Sequence, residues 1–342
     1  MNSKSIHQYI GKGPKNTITD VPGVRVGHCS LKEESIKTGA TAIIPADGNI
    51  FKEKLIASAH VINGFGKSAG ILQVQELGTL ETPILLTNTL SVGAGLTALT
   101  RHMLEGNEDI GVATGTVNSV VCECNDGKIN SIRSMAVKEN HFQQALKSAS
   151  EDFQQGDVGA GTGMVCYGLK GGIGSSSRRI QIVDEVYNLG ILVLSNFGSM
   201  EDLLYYGAPV GKVISDRIHN GSSVDKGSII VILATDIPLD SRQLNRVLKR
   251  TQSGIGRTGG YTGNGSGEIA LGFTTTNRIS HYPEMPVMDI QTLHEDYLDL
   301  VFLATVQATE EAILNSLIHS EPSKGIDGKK VFSLKEFNEL LK

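Results

Sequence analysis

The sequence has no tryptophan, no long apolar run and no excess of positive charge. No segment approaches the roughly 18 apolar residues that a membrane-spanning helix needs, so a membrane partner is not expected. The net charge is −5 and the basic residues do not cluster, which argues against nucleic acid as a partner. The first residues lack the apolar core of a signal peptide, and we therefore expect a cytoplasmic protein.

Cysteine is also scarce, with only four residues in the chain: Cys29, Cys122, Cys124 and Cys166. Cys122 and Cys124 lie two residues apart, a spacing that is poor for a mutual disulfide. No second cysteine or histidine pair accompanies them, as a zinc site would require. We expect reduced thiols in the protein interior and no metal ion.

The 342 residues include 40 glycines, and 39% are hydrophobic, which is typical of a globular chain with many turns. We predict one catalytic domain over residues 1–342, after a loose lead-in over residues 1–17. Short runs rich in Val, Ile and Thr predict strands at residues 84–89, 119–124, 164–169, 179–186, 190–196, 228–235 and 268–276. Apolar periodicity predicts helices at about residues 66–77, 91–105, 139–155, 239–254 and 293–318. Because the strands come in runs, this order favours layered sheets covered by helices.

Three glycine-rich segments raise the question of nucleotide binding: 156-GDVGAGTGM-164, 170-KGGIGSSSR-178 and 259-GGYTGNGSGE-268. None has the GxxxxGK[ST] pattern of a P-loop, and none is a GxGxxG that follows a strand and opens a helix. We predict turns and hairpin ends here, or loops whose backbone approaches a small substrate closely. No nucleotide or other cofactor is expected.

The segment 225-DKGSIIVILATDIPLD-240 allows two interpretations of Ser228. It is either an ordinary first residue of a buried strand or a nucleophile at the strand's tip. The polar residues 215–227 before it are typical of an exposed, protease-accessible loop. No histidine stands at a recognisable triad spacing, and the nearest match to GxSxG, residues 263–267, precedes a strand rather than a helix.

Cleavage between Gly227 and Ser228 would supply the missing base. The new α-amine of Ser228 would have a pKa of roughly 7.7–8, so that part of it is neutral near pH 7. Such a serine carries its own general base. Gly227 suits the cleavage site, because its carbonyl is open to attack and its backbone tolerates strain.

Six motifs occur in an order that resembles the self-processing aminopeptidases of the DmpA and BapA type, over residues 16 to about 318. They are 19-TDVPGVRVGH-28, 123-ECNDGKIN-130, 159-GAGTGM-164 with 170-KGGIGSSSR-178, 196-NFG-198, 228-SIIVILATDIPL-239 and 264-NGSGEIALGFTT-275. The resemblance implies an α+β fold, a four-layer αββα sandwich. It also implies a precursor that is cut into an α chain of residues 1–227 and a β chain of residues 228–342.

The same resemblance implies the site residues. Ser228 would be the nucleophile, Asn196 would help to bind the oxyanion, and Ser266 with Glu268 would hold the Ser228 ammonium. Glu123 is our candidate for binding the free amine of the substrate, with a solvated acid in a turn as the alternative. Some relatives have a tyrosine near the transition state where this chain has Asn125. The resemblance further implies that no cofactor is needed and that processed protomers form a homotetramer.

The expected activity is removal of N-terminal residues from small peptides, amides or esters through an acyl-enzyme on Ser228. The alternatives are an amide-oligomer hydrolase or acyl transferase of the same fold, and an unprocessed, non-catalytic binding protein. A nucleotide-dependent enzyme is a further alternative, but its motifs are missing. The preference for L-α, D-α or β-amino residues is left open by the sequence.

Overall fold

The computed structural model describes residues 6–218 and 227–341. Within these residues the helices α1 to α7 are Ile71–Leu77, Val92–Glu105, Glu139–Lys147, Val210–Ile218, Ser241–Leu248, Thr251–Arg257 and Leu298–Ile318. The strands β1 to β15 are Ile10–Lys12, Arg25–Lys32, Lys37–Ile44, Glu53–Gly64, Thr79–Leu80, Ile84–Asn88, Val120–Cys124, Val165–Cys166, Leu169–Lys170, Gly172–Ile182, Glu185–Asn196, Ser228–Thr235, Gly267–Ser280, Ser323–Lys324 and Lys330–Val331. None of the helices in the described ranges is long and apolar enough to cross a bilayer.

Two sheets contain most of the strands. The larger has seven strands in the order β1-β10-β11-β12-β13-β4-β5, and the smaller has four in the order β2-β3-β6-β7. In the larger sheet β12 and β13 are parallel, whereas the other neighbours are antiparallel. Strand β12 lies at the centre of this sheet and is buried along its whole length. Its continuous apolar sequence follows from burial on both faces.

Three hydrophobic layers separate four layers of secondary structure. Between the two sheets, Ile43 and Leu86 of the smaller sheet join Leu192 and Ile230 of the larger one. Helices α5, α6 and α7 cover the other face of the larger sheet, and α2 and α3 cover the other face of the smaller sheet. This arrangement is an αββα sandwich, and it confirms the predicted fold class.

Helix α7 packs very closely on the larger sheet. Its small residues Ala304, Ala308 and Ala312 are fully buried. A side chain at Gly174 of β10 would bring its Cβ within 1.9 Å of the Ala312 carbonyl oxygen. The Ser176 hydroxyl donates a hydrogen bond of 2.6 Å to the Ala308 carbonyl. Small residues on both elements therefore allow this approach.

The same contacts correct one prediction. Residues 170–178, predicted as turns, are mostly strand β10, and Ser175, Ser176 and Ser177 are fully buried in it. Glycine and serine have low strand propensity, but here tertiary packing under α7 overrides it. The lead-in is also partly ordered, because β1 pairs with β10 at the edge of the sheet.

Several element boundaries also differ from the predicted ones. Helix α1 begins at Ile71 rather than near residue 66, α3 ends at Lys147, and α7 begins at Leu298. The predicted helix over 239–254 is two helices, α5 and α6, and the first is capped by the Asp240 side chain. The predicted loop over 215–227 begins later, because α4 continues to Ile218; residues 219–226 lie outside the described residues.

Candidate active site

Ser228 is the first residue of the central strand β12 and is 7% exposed. Its neighbours in the sheet are Asn196, the last residue of β11, and Gly267, the first residue of β13. Residues paired directly across antiparallel strands point to the same face with about 5 Å between their Cβ atoms. The sheet register therefore brings Ser228 and Asn196 together, although they are far apart in sequence.

The peptide bond before Ser228 is held in place from two sides. The Gly267 N–H group donates to the Gly227 carbonyl oxygen at 3.2 Å and lies 3.3 Å from Ser228 Oγ, which also accepts from it. A Cβ at residue 227 would lie only 2.0 Å from the Asn196 carbonyl oxygen, so no residue with a side chain fits without a shift. The Gly227 carbonyl and the Ser228 hydroxyl thus share one backbone donor.

The Asn196 side chain is held at both ends. Its Oδ1 accepts a hydrogen bond from the Val165 N–H at 2.9 Å, and its Nδ2 donates to the Asn125 carbonyl oxygen at 2.9 Å. An Nδ2 group carries two hydrogens, and the Asn125 carbonyl takes one of them. The amide is therefore oriented before any ligand arrives.

Ser266 and Glu268 flank Gly267, the residue that pairs with Ser228 in the sheet. Both are fully buried, and Ser266 Oγ donates to Glu268 Oε1 at 3.0 Å. Asn63, on the neighbouring strand β4, donates through Nδ2 to the Ser266 carbonyl and, at 3.2 Å, to the Gly263 carbonyl. Asn63 supports the turn before the pair, and the sequence offered no local signal for it.

Glu123 is a strand residue on β7, not a solvated acid in a turn, because it is only 3% exposed. Its Oε1 accepts from the Lys67 N–H at 2.7 Å, and its Oε2 accepts from the Thr89 hydroxyl. The Gly66 position lies between this carboxylate and the centre of the site: a Cβ there would be 3.6 Å from Glu123 Oε1 and 3.8 Å from Gly267 Cα. Glu123 therefore lies close to Ser228's neighbour in the sheet.

The donors to Glu123 are neutral, and none of the ion pairs between residues of 6–218 and 227–341 includes it. A buried carboxylate is costly without a nearby cation. A positively charged ligand group beside Glu123 would offset this cost.

The turn after Glu123 is built by its own polar side chains. Asn125 is exposed, and its Oδ1 accepts from the Gly127 N–H at 2.9 Å. Asp126 is fully buried, accepts from Asn130 Nδ2 at 3.0 Å, and has its pKa raised to about 6 by burial. The turn thereby presents the Asn125 carbonyl to Asn196, while the Asn125 side chain stays in the turn.

No histidine or metal ligand set completes the site within the described part of the chain. Ser228 Oγ accepts a hydrogen bond from the backbone N–H of Gly267, and none of the described histidines bonds to it. Among the same residues no group of three or more His, Cys, Asp or Glu side chains could hold a metal ion. The four cysteines are buried and form no disulfide within the described residues, as predicted.

Residues 16–331 match the profile of peptidase family S58. The chain belongs to this family. It is 35% identical to the β-peptidyl aminopeptidase BapA of Sphingosinicella microcystinivorans, over 94% of this chain and 86% of the relative.

Two solved structures are also similar. The PH0078 protein of Pyrococcus horikoshii OT3 is 49% identical with a TM-score of 0.92, covering 97% of this chain and 94% of that one. The L-aminopeptidase D-Ala-esterase/amidase of Ochrobactrum anthropi, described as a new variant among the Ntn hydrolase fold, is 32% identical with a TM-score of 0.87 and 96% coverage of both chains.

Membership of family S58 confirms the resemblance inferred from the ordered motifs. The protein is a hydrolase of peptide bonds, an aminopeptidase of the N-terminal nucleophile type. Because the similarity covers nearly the whole chain, it includes both sheets and every residue of the site described above.

Proposed function

We propose that this aminopeptidase cleaves its own Gly227–Ser228 bond and then uses Ser228 as an N-terminal nucleophile. The observation that carries the proposal is the Gly267 N–H, which lies within 3.3 Å of both the Gly227 carbonyl oxygen and Ser228 Oγ. The group that would attack, the carbonyl that would be attacked and a donor for the resulting oxyanion are therefore adjacent.

Self-cleavage proceeds by an N→O acyl shift. Ser228 Oγ adds to the Gly227 carbonyl carbon, and the negative charge that develops on the carbonyl oxygen is stabilised by the Gly267 N–H. The C–N bond then breaks, the Ser228 nitrogen takes the hydroxyl proton, and an ester joins the two chains. Water hydrolyses this ester, which leaves a carboxylate on Gly227 and a free amine on Ser228.

Turnover repeats this chemistry on a substrate. The Ser228 amine, with a pKa of roughly 7.7–8, takes the proton from Oγ as the oxygen attacks the substrate carbonyl. The proton is passed to the leaving amine, an acyl-enzyme remains, and water releases the acid. Asn196 would donate its second Nδ2 hydrogen to the oxyanion, and the Ser266–Glu268 pair would hold the ammonium form of Ser228 in place.

Glu123 would bind the free amine of the substrate. Support comes from its burial, from its two neutral donors and from its position across Gly66 from Gly267. An ammonium beside a buried carboxylate forms a charge-assisted hydrogen bond, and this requirement makes the enzyme an aminopeptidase rather than an endopeptidase.

The substrates we propose are small peptides, amides and esters with a free N-terminal amine. The named relatives include a β-peptidyl aminopeptidase and an L-aminopeptidase D-Ala-esterase/amidase, so β-, L-α- and D-amino residues are all candidates for the residue at the substrate's N-terminus. The side chain of Asn125 is bonded within its own turn, so we assign the oxyanion contacts to Asn196 and the backbone. We also propose that the enzyme is cytoplasmic and forms a homo-oligomer. Light scattering of the purified enzyme tests the oligomeric state.

Hydrolysis of amino-acid p-nitroanilides by the wild type, Ser228→Ala and Ser228→Cys tests the assignment. We expect no turnover by the alanine variant and slow turnover by the cysteine variant, with the wild type inactive on N-acetylated analogues. Full activity of Ser228→Ala would show that another residue is the nucleophile.

A further inference from the structure

Lys170, the last residue of β9, is a buried lysine that the proposed chemistry does not use. It is 1% exposed, and its Nζ donates to the carbonyl oxygens of Gly161 at 3.0 Å and Gly171 at 2.6 Å. Burial lowers its pKa to about 7. No carboxylate in the described ranges forms an ion pair with it, so the backbone carbonyls are its bonding partners there.

The two carbonyls belong to residues that precede and follow the paired strands β8 and β9 in the chain. Gly161 belongs to the 3₁₀ turn Gly159–Gly163, which leads directly into Met164 and Val165. Gly171 follows Lys170, and its N–H donates to the Met164 carbonyl at 3.0 Å. The Lys170 nitrogen therefore links the start of the 161–165 segment to Gly171, the residue that follows β9.

That segment orients Asn196. The Val165 N–H donates to Asn196 Oδ1, which leaves Nδ2 to face the Asn125 carbonyl. If the amide turned over, two acceptor oxygens would face each other at the Asn125 contact, and the Val165 N–H would face a donor. The position of Val165 thus decides which way the amide points.

We propose that Lys170 is a positioning residue for Asn196. By holding the Gly161 and Gly171 carbonyls, it fixes the 161–165 segment so that the Val165 N–H keeps the Asn196 amide directed for oxyanion binding. Both an ammonium and a neutral amine supply the two N–H donors that this needs. The inference rests on the proposed function, because the orientation of Asn196 affects the rate only if acyl transfer occurs at Ser228.

Replacement of Lys170 by methionine is a tolerable test. Methionine keeps an unbranched apolar side chain and removes the donors. Each carbonyl has another donor within reach: the Met164 N–H also donates to Gly161 at 3.2 Å, and the Ser320 hydroxyl, which lies 2.9 Å from the Gly171 carbonyl and 2.8 Å from the Ser316 carbonyl, can rotate to donate to Gly171. Should Lys170→Met fail to fold, Lys170→Leu, which also removes the donors on a shorter apolar side chain, replaces it in the same experiments.

The kinetic readout separates positioning from general destabilisation. For a p-nitroanilide substrate and normalised to cleaved chain, we expect kcat of Lys170→Met to fall roughly 100-fold, the effect of about 1 Å of misplacement, with little change in KM. Lys54→Met is the matched control, since Lys54 is a mostly buried lysine paired with Glu81, far along β4 from Asn63. Its kcat should stay at the wild-type value.

A double-mutant cycle with Asn196→Ala then tests whether Lys170 acts through Asn196. If Lys170 acts through Asn196, Lys170→Met should reduce kcat little further in the Asn196→Ala background. Independent, multiplying losses would overturn the proposal.

Hydrogen exchange gives a readout that does not need turnover. Amides in residues 159–166 should exchange faster in Lys170→Met and not in Lys54→Met. Unchanged exchange in that segment would overturn the positioning role even in an active enzyme. If the wild type is inactive but residues 159–166 exchange faster in Lys170→Met as expected, the proposed function is wrong and the effect of Lys170 on the segment stands.

Discussion

Glu123→Gln should separate turnover from self-cleavage. The amide is close to isosteric: its oxygen can still accept from the Lys67 N–H, and the Thr89 hydroxyl can rotate to accept from its nitrogen. The fold should therefore be retained. What is lost is the negative charge that we propose for binding the substrate ammonium.

The size of the loss follows from the burial of Glu123. Removing one partner of a buried, hydrogen-bonded charge pair costs about 2–5 kcal/mol, which is roughly 30- to 5,000-fold in kcat/KM. Because the ammonium is bound equally in the ground state and the transition state, most of the loss should appear as a higher KM. Cleavage at Gly227–Ser228 should continue, since no free amine takes part in it.

The assay is kcat/KM for an amino-acid p-nitroanilide, with the extent of cleavage read from intact mass. Glu81→Gln is the matched control, because Glu81 is also a buried carboxylate but lies away from the site. It precedes β6, whereas Thr89, which bonds Glu123, follows the other end of that strand. A Glu123→Gln enzyme with kcat/KM within a few-fold of the wild type would refute the amine-binding role. Loss of self-cleavage in this variant would refute the separation of the two steps.

Three further outcomes are expected. Gly227→Ala should block self-cleavage, because its Cβ would lie 2.0 Å from the Asn196 carbonyl oxygen, whereas Gly93→Ala, with no atom within 4 Å, should cleave normally; both are read from intact mass. Asp126→Asn should flatten the pH dependence of stability. Burial raises the native pKa of Asp126 from 3.8 to about 6, so between these values the native state holds a proton that the unfolded state has lost. The wild type should therefore lose up to about 3 kcal/mol as pH rises from 4 to 6, and urea titrations should show this loss absent from the variant. Finally, kcat of the cleaved enzyme at saturating substrate should rise with an apparent pKa of roughly 7.7–8, the range of the Ser228 amine, whereas a profile controlled only near pH 4 would contradict that base.

The fold class and the relation of Ser228 to the central strand could be predicted from the sequence. The apolar run after Ser228 has the length and composition of a strand buried on both faces, and the ordered motifs identified the family. The pair Ser266 and Glu268 was named from the resemblance alone, and its hydrogen bond fits the shared face of residues two apart near a strand.

Residues 170–178 were not recognisable as a strand. Their glycine and serine content is typical of turns, and the reason for it lies in α7, more than 120 residues later in the chain. Gly174 and Ser176 are small because the helix backbone lies directly over them. A single sequence carries no local signal for such a contact.

The supports of the site were hidden in the same way. Asn63 and Lys170 donate hydrogen bonds to backbone carbonyl groups, and every residue has such a group, so the sequence does not show which carbonyl is the acceptor. The predicted strand over 119–124 included Glu123, but the polar residues after it left a solvated turn as an alternative; the pairing of Glu123 with Thr87 of β6 decides for the strand.

Intact mass combined with N-terminal sequencing of freshly purified wild type, beside Ser228→Ala, tests the central claim most directly. We predict two chains for the wild type, residues 1–227 and 228–342, the second beginning SIIVIL, and one uncut chain for the variant. A single uncut chain from both folded proteins, or the same two chains from both, would contradict self-cleavage by Ser228.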